Sequence, residues 1–369
     1  MFDLERFSKL QTLLQNSALD AVILLPGYNL QALTNVRFML LERPFMVIIP
    51  AVGEPQTIIP HLEAQQFIET GFIGHIHAWR DADGFDDAFR AAFSQLSLDG
   101  KTVGVEGLRM RFRDILLIQQ YTNAHIVDAD PILSKLRLYK SPQEIEYHRK
   151  AAQISENALA QLLTELRLGM TERQVARRLD ELQVELGGES PSFPTTVLFG
   201  KRSALPHGET GDTSLQQGDT LLIDFGTHYK GYVSDITRVF FIGEPSAKMK
   251  ALYHAVFTAN ETGRNAARAG LTGADLDAIV AEVLREHGYE EYIVHRTGHG
   301  IGLEIHEHPN ISSENTTPLE TGMVFTIEPG LYVPELGGVR IEDNVAIAPD
   351  GKADVLTSFP RELQVLELS

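Results

Sequence analysis

LQQGDTLLIDFG at residues 215–226 and LETGMVFTIEPG at 319–330 are two copies of one pattern: a glycine, an acid six positions later, and a second glycine two beyond that. The first copy has Gly218, Asp224 and Gly226, and the second has Gly322, Glu328 and Gly330. Each acid stands in a short apolar run that reads as a β-strand. Each is followed by a glycine-containing turn and a further acid, Asp235 in YVSDITRV and Glu342 in GVRIEDNV. Working outward, the segment before each strand repeats as well. Arg167, Gly169, Met170, Thr171 and Val175 recur 101 positions later as Arg268, Gly270, Leu271, Thr272 and Leu276. Glu181, Glu185, Gly187 and Glu189 then meet Glu282, Glu286, Gly288 and Glu290. Each copy is a Gly-Thr helix start, an amphipathic helix and a closing glycine. The strands follow at an offset of 104, so the pattern predicts two similar α+β halves related by a pseudo-twofold axis, each bringing two inward acids.

Upstream of this duplication the grammar changes. Residues 3–16 carry Phe7, Leu10, Leu13 and Leu14 at helical spacing, and AVILLP follows as a buried strand. FMVIIP (45–50) and QTIIP (56–60) are strands joined by a Gly-Pro turn. KTVGVEG (101–107) precedes an amphipathic segment, Arg109 to Tyr121, and a last strand, AHIVDAD. Pro131 is read as ending that strand, and Ser141, Pro142 and Glu144 have the N-cap, N1 and N3 chemistry of a long helix. The expected division is an α/β domain over 1–134 and the duplicated domain over 135–369.

The 369 residues include 32 Lys and Arg against 50 Asp and Glu, a formal charge of −18 that argues against a nucleic-acid partner. Apolar runs such as 21–26 and 45–50 fall far short of the roughly 20 residues that span a bilayer. The start, MFDLERFSKLQTLLQ, lacks the basic flank and apolar run of a secretory signal, so no membrane contact and a cytoplasmic location are expected. With no cysteine in the chain, any metal must be held by His, Asp, Glu or carbonyl oxygens.

A carboxylate buried in a strand costs several kcal/mol unless a cation or donors compensate it. Taken singly, Asp235 with Arg238, or Arg340 with Glu342, reads as a structural ion pair. Four acids in one repeated glycine frame favour a shared site. Period-two strands put Asp235, Thr237 and Val239 on one face, and Arg340 and Glu342 on another. YIVHRTGHGIGLEIHEHP (292–309) then offers His295, His299, His306 and His308 among glycines that exclude a continuous helix, and His299 becomes a candidate fifth ligand. Four carboxylates balance two divalent cations, and oxygen donors with one imidazole suit Mn, Co, Zn or Fe. Such a centre activates water and polarises a carbonyl or phosphoryl oxygen. In the upstream domain His75, His77 and Trp79 read as exposed strand and loop residues in preference to a second metal site.

HRTGHGIGLEIHE, preceded by IDFGTHYKGYVSDITR and followed by TIEPGLYVPELGGVRIEDN, resembles the proline-peptidase branch of the "pita-bread" M24 metallopeptidases, the Xaa-Pro dipeptidases (prolidases) and aminopeptidases P. More weakly, residues 1–134 are similar to the creatinase-type N-terminal domain. The resemblance implies a pita-bread catalytic fold in which Asp224, Asp235, His299, Glu328 and Glu342 hold two divalent cations, Mn first and Co or Zn as alternatives, with Asp235 and Glu342 bridging. It places His207, His295 and His306 around the substrate, gives Glu328 a proton-relay role, and implies that a metal-activated hydroxide attacks the Xaa-Pro carbonyl. Arg340 is expected to orient Glu342, or Asp235 across the hairpin. The implied substrate is an Xaa-Pro dipeptide or short peptide and the implied assembly a homodimer. Many prolidases carry an arginine after the HE motif for the dipeptide's carboxylate, whereas residues 307–327 here contain no Lys or Arg. Dipeptidase is slightly favoured, with aminopeptidase P on longer peptides, a small-amide hydrolase, or a non-catalytic binding protein as alternatives.

Overall fold

A computed structural model describes residues 1–368. They divide into two compact units, Met1–Arg137 and a second that begins at Leu138.

The first unit contains α1 (Leu4–Gln15), β1 (Ala21–Leu24), α2 (Tyr28–Thr34), β2 (Met46–Pro50), β3 (Gln56–Pro60), α3 (His61–Glu69), β4 (His75–Trp79), α4 (Asp86–Leu96), β5 (Thr102–Val105), α5 (Phe112–Gln119), β6 (His125–Asp128) and α6 (Asp130–Arg137). Its six strands form one mixed sheet, in the order β4-β3-β2-β1-β5-β6. The period of two along β1 decides the layering. Val22 and Leu24 pack with Leu10 and Leu14 of α1, Phe67 of α3 and Leu133 of α6. Ala21 and Ile23 face the other way, onto Phe89 of α4 and Ile118 of α5. Residue 134 lies inside α6, and Pro131 stands in the first turn of that helix, where its missing N–H leaves no hydrogen bond unmade.

The second unit opens with α7 (Pro142–Glu165), capped as its sequence requires: the Ser141 amide donates to Glu144 Oε2 and the Glu144 amide to Ser141 Oγ. There follow α8 (Glu172–Glu185), β7 (Thr196–Phe199), β8 (Thr220–Phe225), β9 (His228–Tyr229), β10 (Tyr232–Val233) and β11 (Ile236–Ile242). The second half repeats the plan with α9 (Ala247–Ala266), α10 (Gly273–Glu286), β12 (Gly298–Gly300), β13 (Glu307–Ile311), β14 (Val324–Ile327), β15 (Gly330–Val333), β16 (Gly337–Arg340), β17 (Asp343–Ile347) and β18 (Ala353–Val355), before β19 (Gln364–Leu366) returns to the first sheet.

The duplication is visible element by element. Thr171 caps α8 through the Gln174 amide as Thr272 caps α10 through that of Asp275. β8 pairs antiparallel with β11, and β14 with β17, and each pair is interrupted at its tip by a two-stranded hairpin, β9-β10 or β15-β16. Arg238, buried on β11, joins the halves: it donates to the Glu342 carbonyl at 2.6 Å and to Asp343 Oδ1 at 2.8 Å. The ion pair considered between Arg238 and Asp235 is therefore replaced by one with Asp343. No helix of the described residues is long and apolar enough to cross a membrane.

Candidate active site

Strand alternation aims the acids. On β8, Leu221, Ile223 and Phe225 enter the core beneath α7 and α8, so Leu222 and Asp224 face the opposite side, toward the second half. On β11, Thr237 lies opposite Asp224 in register, and Val239 and Phe241, of the same parity as Asp235 and Thr237, pack into the second-half core. Glu328 and Glu342 lie just beyond the paired ends of β14 and β17, where Ile327 meets Asp343. His299 reaches them because β12 lies close against β14: a Cβ at Gly298 would overlap the Thr326 carbonyl, so only glycine fits. The His299 amide donates to Thr326 Oγ1 at 3.1 Å, and its Nδ1 lies 3.1 Å from the Gly300 carbonyl. Nε2 is thereby directed at the acids, 3.3 Å from Glu328 Oε1 and 3.6 Å from Asp235 Oδ2.

The nine residues given site roles from the sequence line one cavity of about 970 Å³: Asp224, Asp235, His299, Glu328, Glu342, Arg340, His207, His295 and His306, whereas His308 is not among its lining. One ligand atom each from Asp235, His299 and Glu342 fall within 4.8 Å of one another. Oδ1 of Asp224 is buried with no hydrogen-bond partner. Burial pushes the Asp235 carboxyl well above its ordinary range, and the charges of Asp224 and Glu328 push it further. Glu342 moves the same way, through burial and then Asp235. Glu328 rises to about 7, mainly by burial. Burial, then the neighbouring His306, lowers His299 to about 3, so this imidazole is neutral with Nε2 facing the carboxylates. Crowded, desolvated acids around a neutral imidazole and an unpaired carboxylate oxygen are the donor set a hard or borderline divalent cation takes. Among the described residues no comparable cluster occurs elsewhere. His75 Nε2 pairs with Glu54 and His77 Nε2 with Gln56, which removes that pair as a metal site.

Arg340 departs from expectation. Its Nη2 meets Asp224 Oδ2 at 2.5 Å, its Nη1 donates to the Tyr332 hydroxyl at 2.6 Å, and its Nε donates to Thr237 Oγ1 at 3.0 Å. The carboxylate it holds directly is Asp224, not Glu342 or Asp235. It reaches Glu342 only through Thr237, whose hydroxyl donates to Glu342 Oε2 at 2.6 Å. The hairpin β15-β16 causes this, because it folds Arg340 back across to the first half's Asp224. Both ring nitrogens of His295 are engaged, Nδ1 with the Arg296 carbonyl at 2.7 Å and Nε2 with the Tyr332 hydroxyl at 2.9 Å. Since Nδ1 donates to a carbonyl, Nε2 accepts from Tyr332, and burial lowers this imidazole to about 4. His306 packs edge-on against His299, ring centroids 4.2 Å apart, and His207 faces the cavity from the 206–210 loop. Sequence reasoning missed Tyr332, which carries no motif signal. It had placed Thr237 on the correct strand face without giving it a role.

With this geometry in place, comparison with known proteins is direct. Residues 146–349 match metallopeptidase family M24, and residues 6–139 match the creatinase/prolidase N-terminal domain. The chain is 41% identical over 264 residues to an Xaa-Pro dipeptidase of Pyrococcus furiosus, covering 71% of this chain and 75% of that one. A crystal structure of a dipeptidase from Pyrococcus horikoshii superposes with a TM-score of 0.93 at 33% identity, covering 98% and 100% of the two chains. An X-Pro aminopeptidase from Thermotoga maritima superposes at 0.82 with 32% identity, covering 96% and 99%. The acids and histidine gathered between the two halves lie within the matched region, and the chain belongs to metallopeptidase family M24.

Proposed function

We propose that this chain is a divalent-metal-dependent Xaa-Pro dipeptidase, hydrolysing the bond between a free N-terminal residue and proline. The observation that carries the proposal is the convergence of Asp224, Asp235, His299, Glu328 and Glu342 in one cavity, in a chain whose relatives include Xaa-Pro dipeptidases. Those five residues would hold two cations, and Mn is favoured over Co or Zn. When bound, the cations supply Lewis-acid chemistry, polarising the scissile carbonyl and acidifying a water.

The chain's own groups do the rest. Glu328, whose carboxylate lies 3.3 Å from His299 Nε2 and lines the cavity, is placed to take a proton and return it to the departing proline nitrogen. His306, its proton affinity lowered mainly by burial, is neutral and presents a ring N–H to charge developing on the carbonyl oxygen. His207 lines the approach to the same point. His295 acts through Tyr332, keeping that hydroxyl and Arg340 in place beside Asp224. Phe193, Pro194 and Ile305 give the cavity an apolar wall suited to a pyrrolidine ring. A homodimer and a cytoplasmic location belong to the same reading.

The test is hydrolysis of Ala-Pro and Ala-Pro-Ala by protein stripped with chelator and then resupplied with Mn. Turnover of Ala-Pro that vanishes on chelation and returns with Mn is expected. Equal or faster cleavage of the tripeptide would transfer the assignment to aminopeptidase P.

A further inference from the structure

A dipeptidase must recognise the free carboxylate that distinguishes a dipeptide from the start of a longer chain, and a carboxylate leaving water needs a cation. The strand after the HE motif has none, since residues 307–327 contain no Lys or Arg. The geometry points to Arg296 as the residue that reads the substrate's C-terminal carboxylate, an assignment that rests on the dipeptidase reading above.

Two arginines line the cavity, Arg296 and Arg340. Arg340 is buried and fully engaged, its three nitrogens committed to Asp224, Tyr332 and Thr237. Arg296 is exposed and makes one side-chain hydrogen bond among the described residues, from Nη1 to Asn310 Oδ1 at 2.7 Å. That contact leaves the Nε–Nη2 edge available, and two parallel N–H groups on a planar guanidinium match a carboxylate in bidentate fashion. Asn310 sits on β13, the strand following the HE motif, and β13 pairs with β12 through Gly298 and Ile311. The cation is thus supplied by the segment leading into β12 and braced from the strand that lacks one. The charge of Arg296 reaches His299, His306 and Glu328, so it lies within electrostatic range of the proposed reacting centre. The apolar wall of Phe193, Pro194 and Ile305 belongs to the same cavity and can take the proline ring.

The experiment compares Ala-Pro with Ala-Pro amide, which lacks the charge, as substrates of the Mn-loaded full chain and of Arg296→Gln and Arg296→Lys. The ratio of kcat/KM for the acid to that for the amide is expected to fall about 10- to 100-fold in Arg296→Gln, chiefly through KM for the acid, and to recover in part in Arg296→Lys. A ratio unmoved in Arg296→Gln, or equal losses on both substrates, overturns the assignment while leaving the dipeptidase reading intact. Absence of Ala-Pro turnover by the unmodified chain refutes both.

Discussion

Replacing Thr237 by valine removes one hydroxyl from the centre of the site while keeping the side chain's shape. That hydroxyl donates to Glu342 Oε2 at 2.6 Å and accepts from Arg340 Nε at 3.0 Å, and Thr237 is completely buried. Valine leaves a buried guanidinium N–H and a buried carboxylate oxygen without their partner. Hydrogen bonds to charged groups are worth about 1.5–3 kcal/mol each. Because one atom serves both, the two losses are coupled, and a destabilisation of about 2–4 kcal/mol is expected in urea unfolding of the chelated protein. Misplacing Glu342 should weaken Mn binding about 10- to 100-fold by isothermal titration calorimetry, the usual cost of losing a ligand's supporting hydrogen bond. Thr237→Ser separates hydroxyl from methyl: it gives up about 1 kcal/mol of apolar burial but keeps both hydrogen bonds, so Mn affinity should stay near that of the parent. Valine and serine variants with equal Mn affinity would refute the argument that the hydroxyl carries the coupling.

Two further predictions concern the scaffold. His148 is fully buried, its Nδ1 donates to the Val233 carbonyl at 2.6 Å, and burial lowers it to about 4. The unfolded chain therefore binds this proton first as pH falls, so stability is lost between about 6.5 and 4, with about 2 kcal/mol gone by pH 5. His148→Gln should flatten the dependence of unfolding free energy on pH by that amount, and an unchanged slope would show that the imidazole is not the group responsible. Gly298→Ala should force β12 away from the Thr326 carbonyl, costing roughly 2 kcal/mol or more and most of the Mn affinity; parental values in thermal melts and titration would contradict the close strand contact.

The centre was legible because duplication makes itself known in sequence. Gly218-Asp224-Gly226 and Gly322-Glu328-Gly330 mark the same strand twice, and alternation then puts Asp235 and Glu342 on predictable faces. The partner of Arg340 was not legible. Its strand face follows from parity, but its contact with Asp224 depends on how β15-β16 folds across the first half, a long-range placement that local spacing does not encode. In the first unit α2 and α3 were missed: neither has a side-chain cap, and α3 begins at His61 directly after the strand that ends in Pro60. α4 did carry a signal, with Ala88, Phe89, Ala92 and Phe93 at helical spacing, that was overlooked. The edge strand β4 shows no apolar run because His75 and Ala78 are exposed and Ile76 and His77 only partly covered. Pro131 was misjudged as a breaker because a first-turn proline and a strand-ending proline look alike until the helix after it is seen.

The proposed ligands come from both halves: Asp224 and Asp235 from the first, His299, Glu328 and Glu342 from the second. During synthesis the first two acids leave the ribosome long before the residues that complete the set, so the nascent first half carries part of a site with no geometry to close it. Cations held by this set would be captured late, once both halves have docked, and would tie the two halves together. Ions that bind only the assembled form raise its stability in proportion to the logarithm of their concentration, so the supply of metal would set how long the finished molecule lasts as well as how fast it works.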